Sequence, residues 1–156
     1  MDTERSERPI RVLIADDQAS IRERLELLLG LSPDIAAVGT ATDGDDAVRM
    51  VGEHIPDVVL MDLRMPRCDG VEATRQIARH HLSTRVVVLT TYADEESILN
   101  ALEAGAKGSR TKDAGARAIP GAIRTVHAGE VLLDPSIQRR LIPQLRGTAP
   151  VVTFGR

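Results

Sequence analysis

Five side chains in this sequence have the chemistry to handle a phosphoryl group: Asp16, Asp17, Asp62, Thr90 and Lys112. Asp62 closes the run Asp57-Val58-Val59-Leu60-Met61-Asp62, and a loop punctuated by Pro66 and Asp69-Gly70 follows at once. A continuous apolar run of this length reads as a strand buried on both faces. Its terminal carboxylate then falls at the carboxyl end of a central parallel strand, where open α/β sheets place their sites. A charge there is unfavourable unless something pairs with it. Asp16 and Asp17 end a first apolar strand, Ile10–Ala15, in the same way. The first and third strands of a doubly wound sheet can be neighbours across the switch point. Three crowded carboxylates repel one another, and a hard divalent cation with oxygen ligands relieves that repulsion. Magnesium keeps several waters and commonly bridges one or two carboxylates to a phosphate. Thr90 and Lys112 end the fourth and fifth strands, so a hydroxyl and an ammonium aim at the same crevice. The sequence has no glycine-rich Walker-type loop to cradle a nucleotide. A carboxylate beside a metal, a hydroxyl and a lysine points to a covalent aspartyl phosphate.

The elements that position these groups follow from periodicity. Ser20–Leu29 carries Ile21, Leu25, Leu28 and Leu29 at helical spacing, and Gly30 and Pro33 stop it. Ile35–Ala41 is a second strand; after the Asp43-Gly44 turn, Asp45–Glu53 is a helix with Ala47, Val48 and Val51 inward. Gly70–His80 is a third helix, with Val71, Thr74 and Ile77 on one face. Arg85–Thr90 is another doubly buried strand, and Asp94–Ala104 a helix stopped by Gly105. Ala106–Lys112 holds the place of a fifth strand, and Ile119–Ala128 is a helix ended by Gly129. Strands alternating with helices predict a five-stranded parallel sheet, doubly wound, with five helices over its two faces. Val131-Leu132-Leu133 is a short extended piece, Ser136–Leu145 has room for one more short helix, and residues 147–156 read as a loose tail.

Composition sets bounds. The chain has 156 residues, 42% hydrophobic and 28% charged, which suits one folded domain with a short appendage. No apolar run approaches the roughly 18 to 20 residues of a membrane span, and Met1–Arg8 has no apolar core of a secretion signal. One cysteine, Cys68, forms no internal disulfide, so a reducing cytoplasm is the expected compartment. The net charge of −3 divides into −6 for residues 1–133 and +3 for residues 134–156. An acidic domain whose only aromatics are Tyr92 and Phe154 is neither a phosphate-backbone footprint nor a base-stacking platform.

Ala15-Asp16-Asp17, Met61-Asp62-Leu63-Arg64-Met65-Pro66, Asp69-Gly70, Leu89-Thr90-Thr91 and Lys112-Asp113 stand in order at suitable spacing, and together they resemble a response-regulator receiver domain. Thr91-Tyr92 and His127-Ala128-Gly129-Glu130-Val131-Leu132-Leu133-Asp134-Pro135 are similar to the NarL/LuxR subfamily. The resemblance implies a flavodoxin- or CheY-like fold over residues 10–133, after a frayed stretch 1–9. It implies that residues 134–156 lead toward a helix-turn-helix DNA-binding domain that this chain does not include.

The resemblance also implies roles. Asp62 takes a phosphoryl group from the phosphohistidine of a sensor histidine kinase. Asp17 and Asp62 bind Mg2+ directly, Asp16 acts through water, and the Arg64 backbone carbonyl completes the protein ligands. Lys112 pairs with the phosphoryl oxygens and Thr90 moves to hydrogen-bond them, while Arg64, Thr91 and Tyr92 flank the site. The output is a homodimerising transcriptional switch, with DNA reached only through the further domain. Each residue also has a plain structural reading: Asp17 as a helix cap, Lys112 as a solvated lysine, Thr90 as a β-branched strand residue. His80-His81 suits a helix C-terminus, His54 and His127 read as surface residues, and Cys68 as a spectator thiol.

The fifth strand departs from the family pattern. Gly108-Ser109-Arg110-Thr111-Lys112 is polar where apolar residues are usual, and Ser109 stands at the place of an aromatic. Pro120 forces the last helix to start late, with Pro120 in its first turn. Two rivals remain at this level: a receiver-like binding module that works without phosphorylation, and a magnesium phosphatase with an aspartyl nucleophile. The adjacency of Asp16 and Asp17 lacks the two-residue spacing of such phosphatases, which favours a switch over an enzyme.

Overall fold

The computed structural model describes residues 8–90, 95–112, 118–133, 137–139 and 152–154. β1 (Ile10–Ala15), β2 (Ile35–Ala41), β3 (Val58–Asp62), β4 (Arg85–Thr90), β5 (Gly108–Thr111), β6 (Val131–Leu133) and β7 (Val152–Phe154) form one sheet. Its order is β2-β1-β3-β4-β5-β6-β7, and every neighbouring pair is parallel. The helices are α1 (Ala19–Gly30), α2 (Gly44–His54), α3 (Gly70–His80), α4 (Glu95–Ala104) and α5 (Ala118–His127).

The central strands are apolar because both faces are covered. All five residues of β3 are buried, as are the last five of β4. Alternation then divides the core into two layers. Leu13, Val59, Met61, Val86 and Val88 meet Val51, Ala73, Ile77 and Ile98 on one face. Val12, Leu60, Val87 and Leu89 meet Leu25, Leu29, Ile119 and Ile123 on the other. Local signals set the helix ends. Asp43 and Asp69 cap α2 and α3, accepting from the amides of Asp46 and Glu72 at 2.8 and 2.9 Å. Gly105 and Gly129 take positive φ just past α4 and α5.

The expected five-stranded sheet is corrected to seven strands. Val131–Leu133 adds beside β5, with Gly108 opposite Leu132 and the Leu132 amide donating to Lys107 O at 3.0 Å. β5 is therefore an interior strand, and its open hydrogen-bonding edge is satisfied by β6. β7 in turn pairs with β6, Val131 opposite Val152 and Leu133 opposite Phe154, so the stretch read as a loose tail contains a strand. Residues 137–139 are helical, inside the predicted Ser136–Leu145 helix, and Ile137 is buried in the same layer as Leu133. The rest of that helix and the predicted frayed stretch before Arg8 lie outside the described residues. Pro120 is buried in the first described turn of α5, where a missing amide leaves no helical bond unmade.

Candidate functional site

The site lies where the chain order reverses, at the carboxyl ends of β1, β3, β4 and β5. β1 and β3 are neighbours in register, Ala15 opposite Met61, so the residues that follow or end them share one rim. Asp16, Asp17 and Asp62 converge there, with one carboxylate oxygen from each inside a cluster 4.8 Å across. Asp16 and Asp62 are 2% and 3% exposed, and Asp17 is open to solvent. Burial, and then the Asp16 charge beside it, push the Asp62 carboxyl from 3.8 up to about 6.

Lys112 answers the two buried carboxylates. Its Nζ stands 3.2 Å from Asp16 Oδ2 and 3.1 Å from Asp62 Oδ1. Burial pulls the ammonium's pKa down, but the hydrogen bond to Asp62 and the charges of Asp62 and Asp16 more than offset this, and the net shift is upward. One cation between two anions leaves the cluster short of positive charge. Asp16 Oδ1 accepts from the Gln18 amide at 2.9 Å, and Asp62 Oδ1 accepts from the Arg64 amide at 3.2 Å. Asp62 Oδ2 is buried and accepts no hydrogen bond. A buried, unpartnered carboxylate oxygen beside two further acids fits a hard cation with oxygen ligands. Asp16, Asp17 and Asp62 would hold it, and it would supply the positive charge that Lys112 alone does not.

Thr90 is buried at the end of β4, and its carbonyl accepts the Lys112 amide at 2.8 Å. This bond sets Lys112, the residue after β5, against the β4 end. Arg64 follows Asp62 with its side chain exposed and its amide on the carboxylate. Thr91 and Tyr92, expected to flank the site, lie outside the described residues. The structure thus brings together Asp16, Asp17, Asp62, Arg64, Thr90 and Lys112.

The loop after Asp62 is held by a close approach. A Cβ on Gly70 would stand 2.2 Å from the Asp62 carbonyl oxygen and 2.6 Å from Leu63 Cα. Only glycine lets α3 begin this near the strand end. Cys68 sits on the same loop, where burial and then the carboxylates of Asp45, Glu72, Asp69 and Asp43 push its thiol up to about 11.

Two site residues escape a reading by motif. Arg22 Nη1 donates to Asp16 O at 2.7 Å, and Arg24 Nη2 donates to Lys112 O. Both belong to the first turns of α1, where the helix dipole disfavours cations. That misplacement is the signal in the sequence, since arginines there need another reason to stay.

A flavodoxin-like parallel sheet carrying three acids and a lysine at its switch point defines the class of α/β domain. The chain belongs to the response regulator receiver domain family, which its sequence matches over residues 12–124. It is 39% identical over 137 residues to the transcriptional regulatory protein LiaR of Bacillus subtilis, covering 88% of this chain and 65% of that protein. The chain therefore spans less than two thirds of that regulator's length. Among solved structures, the signal receiver domain of NarL from Mycobacterium tuberculosis superposes with a TM-score of 0.76 at 32% identity, covering 79% of this chain and 99% of that one. A LuxR-family two-component response regulator from Aurantimonas sp. SI85-9A1 gives 0.79 at 32% identity, covering 87% and 97%. Among the described residues, no helix is long and apolar enough to cross a membrane.

Proposed function

We propose that this chain is the phosphoacceptor domain of a two-component transcription regulator, and that Asp62 is its phosphorylation site. The observation that carries the reading is the buried Asp62 carboxylate, with one oxygen on Lys112 and the other free of hydrogen bonds. One oxygen of that carboxylate is the nucleophile. It attacks the phosphorus of a phosphohistidine on a sensor histidine kinase; the new P–O bond forms as the P–N bond breaks, and the imidazole leaves with the electron pair. The Lys112 ammonium pairs with the charge on the phosphoryl oxygens, and the Thr90 hydroxyl hydrogen-bonds one of them. Asp17, Asp62 and the Arg64 carbonyl would hold Mg2+ directly and Asp16 through water, and the bound ion would neutralise charge at the transferring group. The Arg64 side chain borders the entrance. The reaction is largely a matter of position and charge, so the domain acts as a switch rather than a turnover enzyme.

Phosphorylation of this buried site shifts a two-state equilibrium of the domain. The output is homodimerisation and the control of a DNA-binding domain that follows residues 134–156, and the protein works in the cytoplasm. Intact-mass spectrometry after incubation with Mg2+ and acetyl phosphate tests the reading. One labile, magnesium-dependent phosphoryl adduct, absent from Asp62→Ala, is the expected result. A folded, magnesium-binding protein that forms no adduct would overturn it and leave a receiver that binds partners without phosphorylation.

A further inference from the structure

Lys112 has a flexible four-carbon stem, so its ammonium stays between two carboxylates only if its main chain is fixed. The amide end is fixed by Thr90 O at 2.8 Å. The carbonyl end lies beyond the last β5 residue, Thr111, where the ladder with β4 has stopped. The donor it receives comes from another element: Arg24 of α1, 88 residues away in sequence. Two residues earlier on the same helix, Arg22 holds the Asp16 carbonyl at 2.7 Å. One helix therefore grips the backbones of both Asp16 and Lys112, the acid and the cation that meet at 3.2 Å.

We propose that Arg24 is a positioning residue for Lys112: its guanidinium holds the Lys112 carbonyl and so sets the ammonium against Asp16 and Asp62. This rests on the phosphoacceptor reading above. The hydrogen bond is at the surface, and a merely structural role would make it a minor contributor to stability. A positioning role makes a different demand. Loss of the contact then slows phosphoryl transfer through Lys112 and leaves cation binding by the acids as it was.

The test measures acetyl phosphate-driven adduct formation at saturating Mg2+ in the full chain, with magnesium affinity followed by calorimetry. Arg24→Gln is expected to slow adduct formation by about three- to tenfold, with magnesium affinity held within about twofold. Arg24→Lys, which keeps a long cationic donor where glutamine has a shorter neutral one, recovers part of the rate. In a Lys112→Ala background, Arg24→Gln has no further effect, because the group it positions is gone. A wild-type rate in Arg24→Gln, or equal slowing with and without Lys112, overturns the proposal. The chain has two lysines, Lys107 and Lys112, so nitrogen-labelled lysine resolves the side chain directly. Where Lys112→Ala reacts too slowly to read, an unmoved Lys112 ammonium signal in Arg24→Gln overturns the proposal just as well. Absence of an adduct in the wild type overturns the phosphoacceptor reading and this one with it, whereas a wild-type adduct with an indifferent Arg24 overturns this one alone.

Discussion

Replacing Asp62 with asparagine should make the metal-free protein more stable. In the fold the Asp62 carboxyl is 3% exposed and is raised from 3.8 to about 6 by burial and by Asp16. A rise of about two units at 1.36 kcal/mol each puts the cost of ionising it in the fold at about 3 kcal/mol. Asparagine keeps the shape and removes the charge, but its amide must still find partners. The expected net gain is therefore about 1 to 3 kcal/mol at about pH 8 in chelator. The sign follows from proton linkage. Between 3.8 and about 6 the folded carboxyl holds a proton that the unfolded one has lost. Wild-type stability therefore falls as pH rises through that window and stays low above it. The advantage of Asp62→Asn should narrow as pH is lowered from about 6 toward 4. Urea titration followed by far-ultraviolet circular dichroism suits a chain without tryptophan. Added Mg2+ should stabilise the wild type and have little effect on the variant. An Asp62→Asn protein that is no more stable than wild type in chelator, or a gap that does not depend on pH, would refute the reasoning.

Other elements give sharper local outcomes. Gly70→Ala should lower stability by about 1 to 3 kcal/mol and weaken Mg2+ binding measured by calorimetry, because its Cβ meets the Asp62 carbonyl at 2.2 Å. Cys68, with its thiol pushed up to about 11, should alkylate with iodoacetamide at about pH 8 roughly a hundredfold more slowly than an unperturbed thiol. Arg124 forms a two-point ion pair with Asp34, at 2.7 and 3.0 Å, and its hydrogen bond holds the Asp34 carboxyl below 3.8. Both side chains are about half exposed, so Arg124→Ala should lower stability at neutral pH by less than about 1 kcal/mol. That difference should hold above 3.8 and vanish in acid, as pH falls through the lowered value.

The sequence was most legible where one cause dominates. The apolar runs ending at Ala15, Asp62 and Thr90 become β1, β3 and β4 because burial on both faces leaves no other composition workable. The site residues at those strand ends came with them. Val131-Leu132-Leu133 reads as extended in the sequence but not as a strand of the sheet, and Val152–Phe154 not at all, because three residues each are too few to show a period and their places depend on the edges left open by β5 and β6. Ser109 and Arg110 looked wrong for an edge strand, yet β5 has neighbours on both sides. Arg22 and Arg24 do not stand out in the sequence, since nothing in local spacing reveals which carbonyls a long side chain will reach.

The strand order has a consequence for how the domain is made. After β2 the chain crosses β1 once, and from β3 onward each new strand is laid on the same growing edge. A chain emerging from the ribosome can close the β2-β1-β3 half, and with it bring Asp16, Asp17 and Asp62 together, before Lys112 has been synthesised. The negative cluster then precedes its own counter-charge. Mutual repulsion of the three acids would oppose that early closure, and a divalent cation would relieve it as Lys112 later does.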